Sequence, residues 1–159
     1  GEFKDETIKQ FVIEQLVDNR LWQMAAKEMG ITVSDGDLRE MIVQVPEFQK
    51  NGAFDPELYQ RLLAANHLTP KVFEEAQAKE ILGNKAKMFV RDAVALTPSE
   101  ISEGQALMTR QPDSDPAKAT EAKDRVLQDM LFQKQQRALV AFQESLKGKI
   151  PVKIHRELL

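Results

Sequence analysis

Four points along the chain share one pattern, an aspartate or threonine followed directly by a proline. They are Asp55-Pro56, Thr69-Pro70, Thr97-Pro98 and Asp115-Pro116. In each pair the first side chain offers an oxygen that can cap a helix, and proline suits the first helical position because the N–H it lacks is not needed there. The pattern predicts helices over about residues 56–66, 70–92, 98–109 and 116–147.

Two further helices are predicted before the first of these prolines. Apolar residues recur at three- and four-residue steps from Thr7 to Met29, which is typical of an amphipathic helix with a broad apolar face. Gly30 is its expected C-terminal cap. A capping-box-like start at Ser34-Asp-Gly-Asp37 then predicts a short helix that ends before Pro46.

The last helix and the segment after it add two expectations. At about 1.5 Å per residue, a helix over residues 116–147 would be about 48 Å long, which exceeds the diameter of a compact domain of this size. We therefore expect it to run the full length of the molecule or to project from it. After Gly148, apolar Ile150, Val152 and Ile154 alternate with other residues, which predicts a short edge strand. The expected fold class is all-α, with several helices, a long C-terminal helix and a short terminal β-strand.

The composition excludes several kinds of site. The 159 residues include no cysteine, which excludes disulfides and zinc sites built on sulfur. The net charge is only −3 and no dense run of lysine and arginine occurs, so nucleic-acid binding is not expected. The two histidines, His67 and His155, are far apart in sequence and fit no ligand pattern such as HxxxH. Neither a metal nor another cofactor is expected.

Sequence patterns of catalysis are also missing. No serine lies in a GxSxG pattern, and no glycine-rich loop could hold a phosphate group. Carboxylate pairs such as Glu74-Glu75 are typical of solvated helix faces. We expect no catalytic site in this chain.

Segments that direct a protein to or across a membrane are not found in this sequence either. It has neither an apolar run of about 18 residues nor a charged-then-apolar leader.

Aromatic residues surround a predicted turn in the stretch VPEFQKNGAFDPELYQRLL, residues 45–63. Asn51-Gly52 within it favours the positive φ of a tight turn between two helices. The side chains around this turn can either pack in a core or line a groove, and flexible methionines elsewhere leave the same choice open. The apolar residues that we take as candidates for lining a binding groove are Trp22, Met41, Val45, Phe48, Phe54, Tyr59, Leu63 and Phe73.

Several segments, taken in order, resemble the chaperone module of the SurA and PpiD family of periplasmic folding factors. They are LVDNRLWQMAAKEMGITVSDGDLREMI from Leu16, PEFQKNGAFDPELYQRLL from Pro46, LTPKVFEEAQAKEIL from Leu68 and RVLQDMLFQKQQRALVAFQESLKGKIPVKI from Arg125. Their order and spacing make the resemblance more specific than any single motif. It implies one chaperone domain, formed by N-terminal helices over residues 4–110 and a closing helix and strand over residues 116–159.

The chain departs from the family between these two parts. Typical members carry one or two parvulin-type prolyl isomerase domains between a segment like ALTPSEISEG and the closing helix. Here that interval runs only from Gln105 to Ala119, with residues 111–117 as the expected linker, and is too short for such a domain. Members also begin with a strand or helix ahead of the first helix found here. The terminal strand would therefore lack its partner, and would pair with a second copy or stay frayed.

The resemblance implies an ATP-independent periplasmic chaperone module. It would hold unfolded polypeptides, such as outer-membrane or envelope precursors, in an apolar groove between helices. Two alternatives stay open. The chain could be the non-catalytic scaffold of a prolyl isomerase whose catalytic domain is absent, or an oligomerisation module in which the C-terminal helix and strand exchange in a domain-swapped homodimer.

Overall fold

The structure, a computed structural model, describes residues 2–109 and 115–154, with side chains from residue 4 to 108 and from 115 to 154. The helices are α1 (Glu2–Glu28), α2 (Asp35–Gln44), α3 (Pro56–Ala65), α4 (Pro70–Asp92), α5 (Pro98–Thr109) and α6 (Pro116–Lys149). A short 3-10 helix at Pro46–Phe48 leads into a hairpin of β1 (Gln49–Lys50) and β2 (Ala53–Phe54). The all-α class and the long C-terminal helix are confirmed.

The segment after α6 does not form the expected strand. Ile150 ends the helix, with its N–H donating to the Leu146 carbonyl at 2.9 Å, and residues 151–154 have no strand pairing. An alternating apolar pattern forms a strand only where a neighbouring strand can take up its hydrogen bonds. The strands that the structure describes belong to the hairpin alone. His155, the next residue, lies outside the described residues.

The described residues divide into two compact units. The first comprises residues 2–86 and 152–154, and the second comprises residues 87–109 and 115–151. The division falls within α4, after Ala86. The single domain and the linker at residues 111–117 stay predictions from the sequence.

Small residues let helices approach closely in both units. In the first unit, Trp22 of α1 is 1% exposed, and a Cβ built on Gly83 of α4 would lie 3.6 Å from the Trp22 Cβ. In the second unit, a Cβ on Gly104 of α5 would lie 2.8 Å from Sδ of Met130 and 2.9 Å from Cδ2 of Leu127, both on α6. At Gly104 a side chain would therefore force α5 and α6 apart or displace Met130 and Leu127, whereas at Gly83 a Cβ would make an ordinary contact.

The hairpin forms where the sequence predicts a tight turn. Asn51 and Gly52 have φ of 55° and 80°, the positive values that a two-residue hairpin loop requires. Gln49 pairs with Phe54 across the two strands, and its side-chain amide donates to the Val43 carbonyl at 2.8 Å. The hairpin is thereby attached to the end of α2.

Candidate functional site

An apolar cluster in the first unit joins α2, the hairpin, α3 and the start of α4. Its buried members are Ile42, Phe48, Tyr59 and Leu63, and the half-buried side chains packed against them are Leu38, Met41, Val45, Phe54, Leu62 and Phe73. Seven of the eight residues predicted to bind a polypeptide therefore meet in one cluster. Trp22, the eighth, is buried on α1 and is not part of the cluster.

Aromatic rings form the centre of this cluster. The Phe48 ring lies 4.9 Å from the Tyr59 ring and 5.7 Å from the Phe73 ring, both edge to face. Phe54 lies 5.7 Å from Tyr59 in a tilted arrangement. Edge-to-face pairs at these distances are each worth about 0.5–1.5 kcal/mol beyond the burial of their surface, so they fix the rings relative to one another.

Local chemistry fixes how the elements enter the cluster. Asp55 Oδ1 accepts hydrogen bonds from the backbone N–H groups of Glu57 and Leu58, both at 3.0 Å, with Pro56 at the first helical position. The Asp55 N–H donates to the Phe48 carbonyl at 2.8 Å. One residue therefore both starts α3 and holds the hairpin against the 3-10 helix, which places Phe48 and Tyr59 side by side.

An open groove of about 500 Å³ lies over one edge of the cluster. Buried Ile42 and Tyr59 form its floor, and its apolar walls include half-buried Leu38, Val43 and Phe54. The remaining lining residues are Asp35, Arg39, Pro56, Gln60, Pro70 and Glu74. The groove thus combines an apolar floor with a polar rim, the usual composition of a ligand-binding cleft.

Tyr59 makes a polar contact at the floor of the groove. Its hydroxyl donates to Glu74 Oε1 at 3.2 Å. Burial, followed by the charge of Glu74, raises the pKa of Tyr59 to about 12. The phenol is therefore a neutral hydrogen-bond donor throughout the physiological pH range.

Only some of the predicted binding residues line the groove. Of the seven predicted residues in the cluster, Phe54 and Tyr59 line the groove and the other five do not. Phe48 and Leu63 are buried, at 7% and 4% exposure. A role for any of these residues in binding stays a prediction.

Reasoning from the sequence missed two sets of residues. Leu38, Ile42 and Val43 of α2 line the groove but were not among the candidates.

The first half of α1 carries a second apolar surface, the α1 stripe, whose residues are all more than 40% exposed: Ile8, Phe11, Val12 and Leu16. Their spacing shows in the sequence that they share a face, but periodicity does not tell whether another element covers that face.

A lysine locks the start of α2. Ser34 and Asp37 form a capping box, in which the Asp37 N–H donates to Ser34 Oγ at 3.1 Å and the Ser34 N–H donates to Asp37 Oδ2 at 2.8 Å. Lys85 Nζ on α4 donates to the same Asp37 Oδ2 at 2.6 Å and to the Thr32 carbonyl at 3.1 Å. We call this arrangement a lysine clamp.

The second unit repeats the lysine clamp at the start of α5. The Thr97 N–H donates to Glu100 Oε2 at 2.7 Å, and the Glu100 N–H donates to Thr97 Oγ1 at 3.3 Å. Lys134 Nζ on α6 donates to Glu100 Oε2 at 2.7 Å and to the Ala95 carbonyl at 3.0 Å. In both clamps the lysine reaches the third residue after the helix cap and the carbonyl two residues before it. The same arrangement, a capping box closed by a lysine from another helix, therefore occurs once in each unit.

Both clamps are expected to lose strength in acid. The hydrogen bond from Lys85, then that from the Ser34 backbone, lowers the pKa of Asp37 from 3.8 to about 2. The hydrogen bond from Lys134, then that from the Thr97 backbone, lowers the pKa of Glu100 from 4.5 to about 2. Because both pKa values are lower in the folded state, the clamps contribute their full stability above about pH 4.5 and lose it as the pH falls to about 2.

Urea unfolding at several pH values between 6 and about 2 would measure this loss. The variants Lys85→Met and Lys134→Met should each unfold at lower urea concentration at pH 6 and should lose less stability than the unmodified protein on acidification. An unmodified protein whose stability falls no more steeply than that of the two variants would contradict the expectation.

The part of the chain that the structure describes offers no group of three His, Asp or Glu side chains placed to hold a metal ion. None of the helices in this part is both long enough and apolar enough to cross a bilayer.

Comparison of the sequence with known protein families identifies one match. The sequence profile of the SurA-like N-terminal domain matches residues 1–87, which include the whole groove and the first lysine clamp. The chain belongs to this family. The resemblance inferred from the sequence motifs is therefore confirmed.

Curated relatives of the chain are named periplasmic chaperone PpiD. The one from Haemophilus influenzae is 39% identical over 62 residues, which is 39% of this chain and 10% of that protein. The one from Buchnera aphidicola is 31% identical over 68 residues, 43% of this chain and 11% of that protein. The one from Escherichia coli is 26% identical over 106 residues, 67% of this chain and 17% of that protein. The chain thus matches less than a fifth of the length of these relatives, and no solved structure matches it.

Proposed function

We propose that this chain is an ATP-independent chaperone module that binds unfolded polypeptides in the groove between α2, α3 and the start of α4. The observation that carries the proposal is a groove whose floor, Ile42 and Tyr59, continues directly into the aromatic cluster. Membership of the SurA-like N-terminal domain family and relatives named as periplasmic chaperones support the same function. We place the module in the periplasm, with outer-membrane or envelope precursors as its clients.

Burial of apolar client side chains would drive binding. One leucine or phenylalanine removed from water contributes about 1.5–3 kcal/mol, which alone gives weak and reversible attachment. The groove of about 500 Å³ has room for a few such side chains. Its apolar walls make few directional hydrogen bonds, so many different segments would fit. A holding chaperone needs this combination of weak binding and broad specificity.

Suppression of aggregation tests the proposal. A urea-unfolded outer-membrane protein is diluted into buffer with increasing amounts of this chain, and light scattering is followed over time. Suppression at near-equal ratios is expected. Val43→Lys, which places a cation on a groove wall, should reduce it, whereas Val140→Lys on an exposed face of α6 should not.

Two results would contradict the proposal. The first is a client that aggregates equally fast with and without the chain. The second is equal suppression by both lysine variants, which would locate binding elsewhere. In a proline-peptide isomerisation assay, the same sample should not accelerate cis–trans isomerisation. Turnover in that assay would favour an enzyme over a holding chaperone.

The α1 stripe favours a second candidate function, association of two copies through α1. Its four apolar side chains on one exposed helix face form the kind of surface that helices bury against each other. Light scattering across a concentration series should then show a dimer, and Phe11→Lys should return it to a monomer. A strict monomer at every concentration excludes this candidate.

A further inference from the structure

The charges that line the groove do not balance. Asp35 and Arg39 lie four residues apart on α2, at the spacing where opposite charges on a helix offset each other. Glu74 lies on α4, three residues after Lys71, but among the described residues the two side chains form no ion pair, and Lys71 does not line the groove. With two carboxylates and one guanidinium, the lining carries a formal net charge of −1.

Glu74 is prepared to accept a further hydrogen bond. Its Oε1 accepts from the Tyr59 hydroxyl at 3.2 Å, and the side chain is half-buried. Within the described residues its Oε2 has no hydrogen-bond or ion-pair partner. Because Tyr59 already restrains the carboxylate, pairing with a ligand cation would cost little additional side-chain entropy.

The part of the sequence that contains the groove also has a negative net charge. Residues 31–86 contain nine acidic and six basic side chains, a difference that equals the whole net charge of −3. The acidic and basic residues of the rest of the chain balance. A cationic ligand is therefore attracted toward the groove-bearing part of the protein before it makes contact.

We propose that the groove selects apolar polypeptide segments that contain a lysine or arginine, whose cation pairs with Oε2 of Glu74. This inference rests on the proposed function, since it names the class of segment that the same groove accepts. Apolar side chains fill the space above Ile42 and Tyr59, and the basic side chain reaches Glu74 along the rim. A segment with an acidic residue at the same position is disfavoured because it meets the carboxylate.

The expected selectivity is modest because the contact is partly exposed to water. Partly exposed ion pairs contribute little, so exchanging lysine for glutamate in a bound segment should change Kd by about threefold to fivefold. Raising the salt concentration should reduce the difference, because screening weakens exposed pairs.

Two short fluorescent peptides test the proposal with the whole chain. Both are capped at their ends and carry leucine and phenylalanine at alternate positions, and they differ only in a central lysine or glutamate. Fluorescence anisotropy gives Kd for each with the unmodified protein, with Glu74→Gln and with Glu75→Gln. Glutamine keeps an acceptor for Tyr59 but removes the charge. Glu75 is exposed and does not line the groove, so its variant makes the same charge change beside the site.

A preference for the lysine peptide that disappears in Glu74→Gln and persists in Glu75→Gln supports the proposal. Equal affinity for both peptides, or a preference that persists in Glu74→Gln, overturns it, even if the chain suppresses client aggregation. If neither peptide binds and client aggregation is not suppressed, the result contradicts the proposed function itself, and the inference about Glu74 falls with it. Far-UV circular dichroism of each variant confirms that the helices are intact.

Discussion

Replacing Trp22 by alanine is expected to destabilise the first unit by about 3–5 kcal/mol. Trp22 is 1% exposed, and Gly83 brings the backbone of α4 against it. Ala26, four residues after Trp22 on α1, and Ala86, three residues after Gly83 on α4, are fully buried and too small to refill the space. The substitution therefore leaves a cavity at the contact between α1 and α4, which adds to the loss of buried apolar surface.

Urea unfolding followed by far-UV circular dichroism measures this effect, since Trp22 is the only tryptophan and the variant has no indole fluorescence. The matched control is Phe132→Ala, which removes an aromatic ring that is 59% exposed on α6. This control should cost about 0.5 kcal/mol or less. Equal costs for the two substitutions would show that Trp22 is not the packing centre of its unit.

The starts of the helices follow from the sequence because local chemistry decides them. Asp55 and Asp115 each accept a backbone N–H from the first turn of their helix, as the pattern with proline predicts. Thr97 forms its capping box with Glu100. Each of these contacts joins residues at most three positions apart, so no knowledge of the rest of the fold is needed to predict them.

Contacts between distant parts of the chain could not be predicted in this way. The strand expected at residues 150–154 needs a partner strand, which the rest of the sequence does not offer, and residues 151–154 form no strand in the structure. Asp37 and Lys85 are 48 positions apart, so the sequence reveals the capping box but not the lysine that closes it. Ile8 and Ile13 of α1 are both apolar, yet Ile8 is 59% exposed and Ile13 is 7% exposed.

The candidate site, too, could be predicted from the sequence only in part. The aromatic residues around Asn51-Gly52 come together in one cluster, because a tight turn brings its two sides together. The sequence left open whether these rings form a core or line a groove. In the structure both descriptions apply: Phe48 is buried in the cluster, half-buried Phe54 lines the groove, and Tyr59 is buried and lines the groove as well. The buried rings and the groove-lining rings belong to one cluster, so the proposed binding would depend on the same rings as the packing.

Replacing Phe48 by alanine should therefore affect stability and binding together. Phe48 is 7% exposed and packs against both Tyr59 and Phe73, so its loss should cost about 3–5 kcal/mol. Tyr59 would lose its nearest ring contact and would be held in the groove only by Phe54, Phe73 and its hydrogen bond to Glu74. In the fraction of molecules that stays folded, the lysine-containing peptide should bind more weakly.

Urea unfolding gives the stability of this variant, and fluorescence anisotropy at low temperature without urea gives its peptide affinity. Phe89→Ala is the matched control, since Phe89 is 63% exposed on α4 and belongs to the second unit. It should change neither quantity appreciably. Normal peptide affinity in folded Phe48→Ala would mean that the floor of the groove does not depend on the ring cluster. Polypeptide binding would then have to be sought on another apolar surface, such as the α1 stripe.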